Sequence, residues 1–528
     1  MRDWNSRRRV AAFFAAWLIP VAAAAAGVPL VDAVRQQDET RIRALLDQRA
    51  DVNARTDDGS TALLWAAHLN DTATAALLIR AGADANLANE FRVTPLSEAC
   101  TNRNTALVDA LLKAGANPNA AIATGETPVM TCARSGSADA VRLLVARGAD
   151  VNANEPAQNQ TALMWAAAER HPDVVKVLVD GGADVNASTR KGFTALHFAA
   201  RENDLESTRL LLAAGVNVNV RSQPDPAEAA RGVEVRGSGR SAAGAGSGVG
   251  RDGPAGPAYQ ATLSAGATPL LVATMRANVP LALYLLDHGA DPNVMDAGLT
   301  PLHWAAGAWE GGVANPVYGF SDAMSGIPKR AEKLQLVNAL LAHGANPNAR
   351  MTRRPPNFFG LSGGYEDAPG ATPFLLASAA ADVEVMRILL ASGADPAIAT
   401  DTKATPVMAA SGLNKGIGED AITEERALAA VKLLFELGAD ARGNTTNGEN
   451  ALFAAGYRGW NILLELLIDK GADVNAVSKA GVTPYLAAAG YGDRLGGVLY
   501  NQAGADILLR HGADPKLGKP CEAQNKCR

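Results

Sequence analysis

The residues of this chain best suited to chemistry are its seven histidines and four cysteines. Metal ligands and catalytic bases work in close sets, such as an HExxH helix or a Cys-x-x-Cys pair, and neither pattern occurs. Five histidines occupy fixed places in a repeated pattern: His197, His303, His288, His343 and His511. His68 and His171 remain, without convergent carboxylates beside them in sequence. We therefore predict no catalytic residue, no bound metal, no cofactor and no enzymatic activity.

The cysteines differ in their surroundings. Cys100 and Cys132 stand where other repeats carry alanine, so we interpret them as small core residues. Cys521 and Cys527 lie in a polar tail, where they could close a small disulfide ring in an oxidising compartment. Four cysteines are few for an exported chain of 528 residues, so we do not expect disulfides to hold the fold together.

A glycine-rich stretch is the remaining candidate for chemistry, since such loops can cradle phosphate. Residues 221–265 include RGSGRSAAGAGSGVGRDGPAGP, but the lysine and serine that end a P-loop are absent and no strand pattern precedes it. Its composition cannot bury enough apolar surface to offset the entropy of ordering. We predict a flexible insertion there and no nucleotide site.

The segments that position these residues repeat along the chain. A threonine-led tripeptide, TPL in its simplest form, begins at Thr61, Thr94, Thr127, Thr161 and Thr194, and returns at Thr268, Thr300, Thr372, Thr405, Asn450 and Thr483. A second marker, glycine-alanine-aspartate or asparagine, follows in constant phase, as at Gly82, Gly115 and Gly148. The undisturbed spacing is 33 or 34 residues, as expected for stacked helical repeats.

Each part of the unit has a physical reason. The threonine caps a first helix and proline is tolerated in its first turn. An alanine pair such as Ala66 and Ala67 keeps that helix thin, and a leucine-rich second helix supplies apolar surface for burial. The glycine ends the second helix because it readily takes the left-handed conformation.

These motifs, with TALLWAAHLNDTATAALLIRAGADAN from Thr61 and TALHFAARENDLESTRLLLAAGVNVN from Thr194, resemble the ankyrin-repeat family over nearly all of residues 29–518. The resemblance implies an all-α repeat protein, a solenoid of about twelve helix-turn-helix units with projecting finger turns. It also implies binding of a protein partner through the finger tips and the exposed end of the first helix. The first unit is charged, as expected for a terminal cap.

We predict the following organisation: a signal peptide at 1–27, about six repeats at 29–220, the flexible insertion at 221–265, about six repeats at 266–518, and a polar tail at 519–528. The second block contains insertions near 309–330, 351–369, 412–426 and 490–504.

The N-terminus has a basic start and an apolar run from Val10 to about Ala26 that ends in small residues, which is typical of a secretory signal. The alternative is an uncleaved membrane anchor, but the run is short for a spanning helix and contains Pro20. We predict export with cleavage, a periplasmic or secreted location, and no membrane span in the mature chain.

Two insertions concentrate aromatic and basic residues in a chain with only 5% aromatics. They are Trp309, Tyr318, Phe320, Arg353, Arg354, Phe358, Phe359 and Tyr365. Such side chains are typical of binding hot spots, and the alternative is that each insertion packs on its own repeat. Trp65, Trp165 and Trp304 share one register position, which we assign to the core.

The resemblance places a second set of residues along the binding groove. This set includes His68, Arg134, Arg201, Glu202, Met275, Arg276, Tyr457 and Arg458. The alternative for any one of them is an ordinary solvated position.

The net charge of −5 gives no long-range attraction for polyphosphate, so we expect no nucleic-acid partner. The sequence favours a monomeric protein-interaction scaffold that uses the concave repeat surface and the aromatic insertions. An accessory or regulatory subunit of an exported enzyme, and a secreted effector that binds a host protein, are the alternatives.

Overall fold

The computed structural model describes residues 28–223, 266–307, 329–352, 369–413, 422–490 and 500–518. These residues belong to two compact units, which meet in sequence near residue 232. The described part of each unit contains six helix pairs. The only β-type pairing among the described residues is a single bridge between Asn154 and Thr161 in the N-terminal unit. The fold is therefore the all-α repeat solenoid that the sequence predicts.

In the N-terminal unit the helices are α1 (Pro29–Arg35), α2 (Glu39–Asp47), α3 (Ala62–His68), α4 (Thr72–Arg80), α5 (Pro95–Thr101), α6 (Thr105–Lys113), α7 (Pro128–Ser135), α8 (Ala138–Ala146), α9 (Ala162–Ala168), α10 (Pro172–Asp180), α11 (Ala195–Glu202) and α12 (Leu205–Ala213). Odd-numbered helices are the first of each pair. Each first helix packs against the first helix of the next repeat.

In the C-terminal unit the helices are α13 (Pro269–Met275), α14 (Val279–Asp287), α15 (Pro301–Ala306), α16 (Arg330–Ala342), α17 (Pro373–Ala379), α18 (Val383–Ala391), α19 (Pro406–Ala410), α20 (Glu424–Glu436), α21 (Ala451–Arg458), α22 (Asn461–Asp469), α23 (Pro484–Ala488) and α24 (Gln502–Arg510). Helices α16 and α20 have 13 residues each, whereas the other second helices of this unit have nine. The predicted insertion boundaries at 330 and 426 therefore fall inside helices.

Threonine caps most of the first helices, as predicted. The Thr61 hydroxyl accepts a hydrogen bond from the Leu64 amide at 3.2 Å, and Asn450 does the same for Leu452 at 3.1 Å. Thr127 and Thr161 occupy the cap without that bond. Threonine is thus the preferred residue at this position, but its capping hydrogen bond does not form in every repeat.

The glycine-alanine marker ends the second helices for the expected reason. Gly82 has a φ of +89° and Gly115 a φ of +90°, and an added Cβ would meet nothing within 4 Å at either position. The requirement for glycine is therefore conformational and not steric.

An asparagine four residues after that glycine joins consecutive repeats. The Asn86 amide group donates to the Gly115 carbonyl at 3.0 Å and accepts from the Asn117 amide at 2.7 Å. Asn348 in the C-terminal unit makes the same two bonds, to Gly393 and Asp395. Each asparagine side chain thus hydrogen-bonds two backbone groups just after the second helix of the next repeat and fixes the distance between the two repeats.

Candidate functional site

In the N-terminal unit, the residues four and seven positions after each first-helix cap form a surface that we call the first-helix stripe. Position four holds Asp32, Trp65, Glu98, Thr131, Trp165 and Phe198, and position seven holds Arg35, His68, Thr101, Arg134, Ala168 and Arg201. Because first helices pack side by side, position seven of one repeat lies beside position four of the next. The stripe is therefore a series of contacts between repeats.

Two of these contacts place a guanidinium on an indole. The Arg35 guanidinium carbon lies 4.8 Å from the Trp65 ring centroid, and Arg134 lies 4.8 Å from the Trp165 centroid. In the last repeat Arg201 lies 5.1 Å from the ring of Phe198 on its own helix. All three are within the roughly 6 Å range of a cation–π interaction.

A third contact between repeats is polar. His68 Nδ1 lies 3.2 Å from Glu98 Oε2, and the His68 ring meets the Trp65 ring edge-on with centroids 5.5 Å apart. The hydrogen bond to Glu98 raises the pKa of His68 above its usual value, against the opposing effect of partial burial. The imidazole therefore carries more positive charge near neutral pH than an isolated histidine.

Two arginines of the stripe also bind carboxylates of this chain. Arg134 Nη2 lies 3.2 Å from Glu126 Oε2, and Arg201 Nε lies 2.6 Å from Glu202 Oε1. The Arg134 side chain is 42% exposed. The stripe thus presents half-exposed guanidinium groups with the geometry of carboxylate binding.

The tryptophan assignment to the core is wrong. Trp65, Trp165 and Trp304 are all half-buried, whereas Thr131 and Phe198 at the same register position are buried. The Trp165 indole nitrogen donates to Gln160 Oε1 at 2.8 Å, which keeps the polar edge of the ring satisfied. In the N-terminal unit these rings form part of the candidate binding surface.

The interpretation of Cys100 and Cys132 as small core residues is confirmed by their burial, but it missed their pairing. Both are fully buried, but they form a disulfide between α5 and α7, with Cα atoms 4.6 Å apart. The Ser135 hydroxyl donates to the Cys100 carbonyl at 2.9 Å beside it. A covalent bond therefore fixes the third and fourth repeats together, between Glu98 and Arg134 of the stripe.

Comparison with known proteins agrees with this geometry. Models for ankyrin repeats (3 copies) match residues 30–122, 70–155, 100–188, 129–222 and 420–518. Ankyrin repeats (many copies) match 270–309, and single ankyrin repeats match 297–352 and 370–401. The chain belongs to the ankyrin-repeat family.

Among solved structures, the human ASB11 ankyrin repeat domain is 28% identical, and the match covers 37% of this chain and 86% of that one with a TM-score of 0.34. The family assignment rests on the sequence matches and the repeat geometry. Ankyrin repeats generally mediate protein–protein interaction and are typically non-enzymatic.

The ankyrin repeats of the C-terminal unit carry no charge at position seven, which holds Met275, Gly307, Ala379, Gly412, Tyr457 and Gly490. Met275, predicted for the groove, is only 8% exposed, since an unbranched apolar side chain gains by leaving water. Arg276, Tyr457 and Arg458 are half-buried. The Arg458 guanidinium carbon lies 5.0 Å from the Trp460 ring centroid.

The residues predicted on the aromatic insertions lie outside the part of the chain that the structure describes. These residues are Trp309, Tyr318, Phe320, Arg353, Arg354, Phe358, Phe359 and Tyr365, together with Cys521 and Cys527 of the tail.

Sequence reasoning missed a buried ion cluster in the C-terminal ankyrin repeats. Asp382 caps α18 and accepts from Arg330 at 2.5 and 2.6 Å and from Lys333 at 3.0 Å. Lys333 also donates to the Gly307 carbonyl at 2.8 Å, which joins the residues on both sides of 308–328. Burial raises the pKa of Asp382, but the Arg330 hydrogen bonds and the charge of Lys333 outweigh it and lower the pKa to about 2.

Two histidines have the structural role that their register predicts. His303 Nδ1 accepts from the Thr300 amide at 3.1 Å, and its Nε2 lies 2.9 Å from the Ala349 carbonyl. His197 accepts from the Thr194 amide in the same way at 3.2 Å. Burial lowers the pKa of His303 to about 4, although its bonds to the Ala349 and Ala371 carbonyls oppose the shift.

Within the described ranges, no cluster of three or more histidine, cysteine, aspartate or glutamate residues could hold a metal ion. None of the helices in those ranges is long and apolar enough to cross a membrane.

Proposed function

We propose that this chain is an exported, monomeric, non-enzymatic scaffold that binds a protein partner, with the first-helix stripe as its main contact surface. The observation that carries the proposal is the pairing of two solvent-accessible arginines with indole rings, the exposed Arg35 on Trp65 and the half-exposed Arg134 on Trp165. Tryptophan and arginine contribute disproportionately to binding free energy at protein interfaces. Rings held under guanidinium groups also lose little conformational freedom on binding.

Two features support export to the periplasm or the exterior. The N-terminal residues 1–27 have the basic and apolar pattern of a signal peptide. The disulfide between Cys100 and Cys132 is of the kind that forms and persists in oxidising compartments.

Site-specific photocrosslinking tests the contact surface. A photoreactive residue is placed at Leu69 or Glu169, each one residue beyond position seven, and in a control chain at Arg142 on the second helix α8. We expect the two stripe positions to crosslink the same partner and the α8 position not to crosslink it. Capture from α8 alone, or from none of the three, would contradict the proposal.

The captured partner, once identified and purified, is then titrated against the chain and against a variant without residues 309–328 and 353–368, a deletion that keeps Arg330 and its bonds to Asp382. Unchanged affinity places recognition on the stripe. Loss of affinity moves the contact to the aromatic insertions and contradicts the assignment to the stripe. If the partner is an enzyme whose turnover changes on binding, the scaffold acts as its accessory subunit.

A further inference from the structure

Position seven of the first-helix stripe carries only one sign of charge. Arg35, His68, Arg134 and Arg201 occupy four of the six repeats, and Thr101 and Ala168 the other two. Residues 28–223 nevertheless contain more acidic than basic side chains. A line of cations on an otherwise acidic unit indicates a partner of complementary charge, because such segregation orients the partner and excludes others.

The guanidinium groups are positioned to donate hydrogen bonds to carboxylates. A guanidinium that lies with its carbon over an aromatic ring keeps N–H donors available at its edge, and those donors match a carboxylate in a bidentate geometry. Arg35 makes its contact with Trp65 and forms no ion pair with any carboxylate in the described residues. It is therefore the clearest vacant position for an acidic group.

Arg134 and Arg201 already bind carboxylates. Each binds a carboxylate of this chain, Glu126 at 3.2 Å and Glu202 at 2.6 Å, in a partly exposed environment. Ion pairs at the surface contribute little free energy, so a partner's carboxylate can replace or share them.

On the basis of the proposed function, we propose that the occupant of the stripe is an extended acidic segment of the partner protein, with carboxylates repeating at about every third residue. Neighbouring packed helices lie about 8–10 Å apart, and an extended chain advances about 3.3 Å per residue. The segment therefore advances about three residues per repeat, and about fifteen residues reach from Arg35 to Arg201.

Two synthetic peptides of equal composition test this match. One carries glutamate at every third position of a glycine-serine chain, and the other carries the same glutamates in one contiguous block. Binding to the full-length chain is measured by calorimetry at about 0.05 M salt, where screening is weaker than at physiological ionic strength. We expect the spaced peptide to bind about tenfold more tightly, because it reaches more of the separated cations.

Arg134→Gln and Arg142→Gln are matched variants within one repeat, since Arg142 is an exposed arginine of α8 paired with Asp139. Circular dichroism first checks that both variants are folded. We expect Arg134→Gln to weaken binding of the spaced peptide about fivefold and Arg142→Gln to leave it unchanged. Equal losses in both variants, equal affinity for both peptides, or no binding of either peptide would overturn the inference.

The proposed function can survive such a failure. If the photocrosslinked partner contacts Leu69 and Glu169 through a segment without carboxylates, the acidic-segment inference is wrong and the scaffold proposal stands. If crosslinking misses the stripe, the proposed contact surface fails whatever the peptides do.

Discussion

The N-terminal and C-terminal units have the same helix pairs and the same capping and asparagine motifs, but they place charge differently. In the N-terminal unit charge lies on the exposed stripe, as with Arg35 and Arg134. In the C-terminal unit position seven is uncharged, and Asp382 and Lys333 are instead buried, with side chains 2% and 3% exposed. An exposed cation is available to a partner, whereas a buried ion pair can act only within its own fold.

The difference in charge placement coincides with the presence of insertions. In the N-terminal unit the repeats succeed one another at 33 or 34 residues, so each neighbour is fixed by the motifs alone. In the C-terminal unit Lys333 and Arg330 follow residues 308–328 and bind Asp382 of the next repeat. We infer that the ion cluster stabilises stacking where the regular spacing is lost.

The largest expected effect is that of Asp382→Ala. The substitution leaves Lys333 buried without its carboxylate and also removes a helix cap, so we expect a loss of about 3–5 kcal/mol from the C-terminal unit. Hydrogen exchange of α16 and α18 measures it, since exchange reports the free energy of local opening.

The matched control is Asp71→Ala, at the same capping position in the N-terminal unit. Asp71 accepts from the Thr74 amide at 2.9 Å and has no ion pair in the described residues. We expect a loss of about 1 kcal/mol there. Equal losses at the two positions would show that Asp382 acts only as a cap and that the units do not differ as we propose.

The disulfide is the next test, because it is confined to the N-terminal unit. Its cysteines are 32 residues apart in sequence. Closing a loop of that size lowers the entropy of the unfolded chain and stabilises the folded unit by about 4 kcal/mol. Replacing both Cys100 and Cys132 with alanine should lower the urea midpoint of that unit, as monitored by exchange in α5 and α7. An unchanged midpoint would mean that repeat stacking alone holds this unit.

His303 predicts a pH dependence of the C-terminal unit. Its folded pKa of about 4 lies below the usual unfolded value near 6.5. Between these two pH values the unfolded chain is protonated at His303 and the folded chain is not. Stability is therefore unaffected above pH 6.5 and falls as the pH drops towards 4, by about 2 kcal/mol at pH 5. Urea unfolding at pH 7 and pH 5 measures the loss.

His303→Gln separates this effect from general acid destabilisation. The variant is less stable at pH 7 because it loses the bonds to Ala349 and Ala371, but it should lack the additional fall at pH 5. A fall equal to that of the parent would exclude His303 as its cause.

The features that sequence predicted are those set by contacts within a few residues. The hydrogen bond of the Thr61 cap and the left-handed conformation of Gly82 depend only on neighbouring residues in sequence, so the motif alone predicts them. Ala66 and Ala67 are fully buried as predicted, because in a regular stack each copy of the motif packs against the same motif of the neighbouring repeat.

The features that sequence missed depend on which residues meet across repeats. Cys100 and Cys132 stand six and five residues after their caps in adjacent repeats, a near match in register that could have predicted the disulfide. Asp382 and Lys333 are 49 residues apart, which is not the 33- or 34-residue spacing of the regular repeats, so the repeat period did not predict their contact. The tryptophan assignment used the family position, at which residues such as Thr131 are buried, and did not consider that the larger indole ring is only half covered there.

The smallest expected effect sharpens the role of the stripe, because His68 is its only cation with a charge that varies near neutral pH. The Glu98 hydrogen bond raises the pKa of His68, so the histidine becomes more fully protonated as the pH falls from 8 to 6. Glu98 Oε2 lies 3.2 Å from His68 Nδ1, and the centroid of the Trp65 ring, which also contacts Arg35, lies 5.5 Å from that of the imidazole.

We expect the spaced acidic peptide to bind about twofold more tightly at pH 6 than at pH 8, and His68→Gln to remove that difference. Arg134→Gln should keep the pH difference while it weakens binding at both pH values, because a guanidinium does not titrate in this range. The pH dependence would then belong to His68 and the overall affinity to the arginines. A pH difference that persists in His68→Gln would assign the titration to the peptide or to another group and would remove His68 from the binding surface.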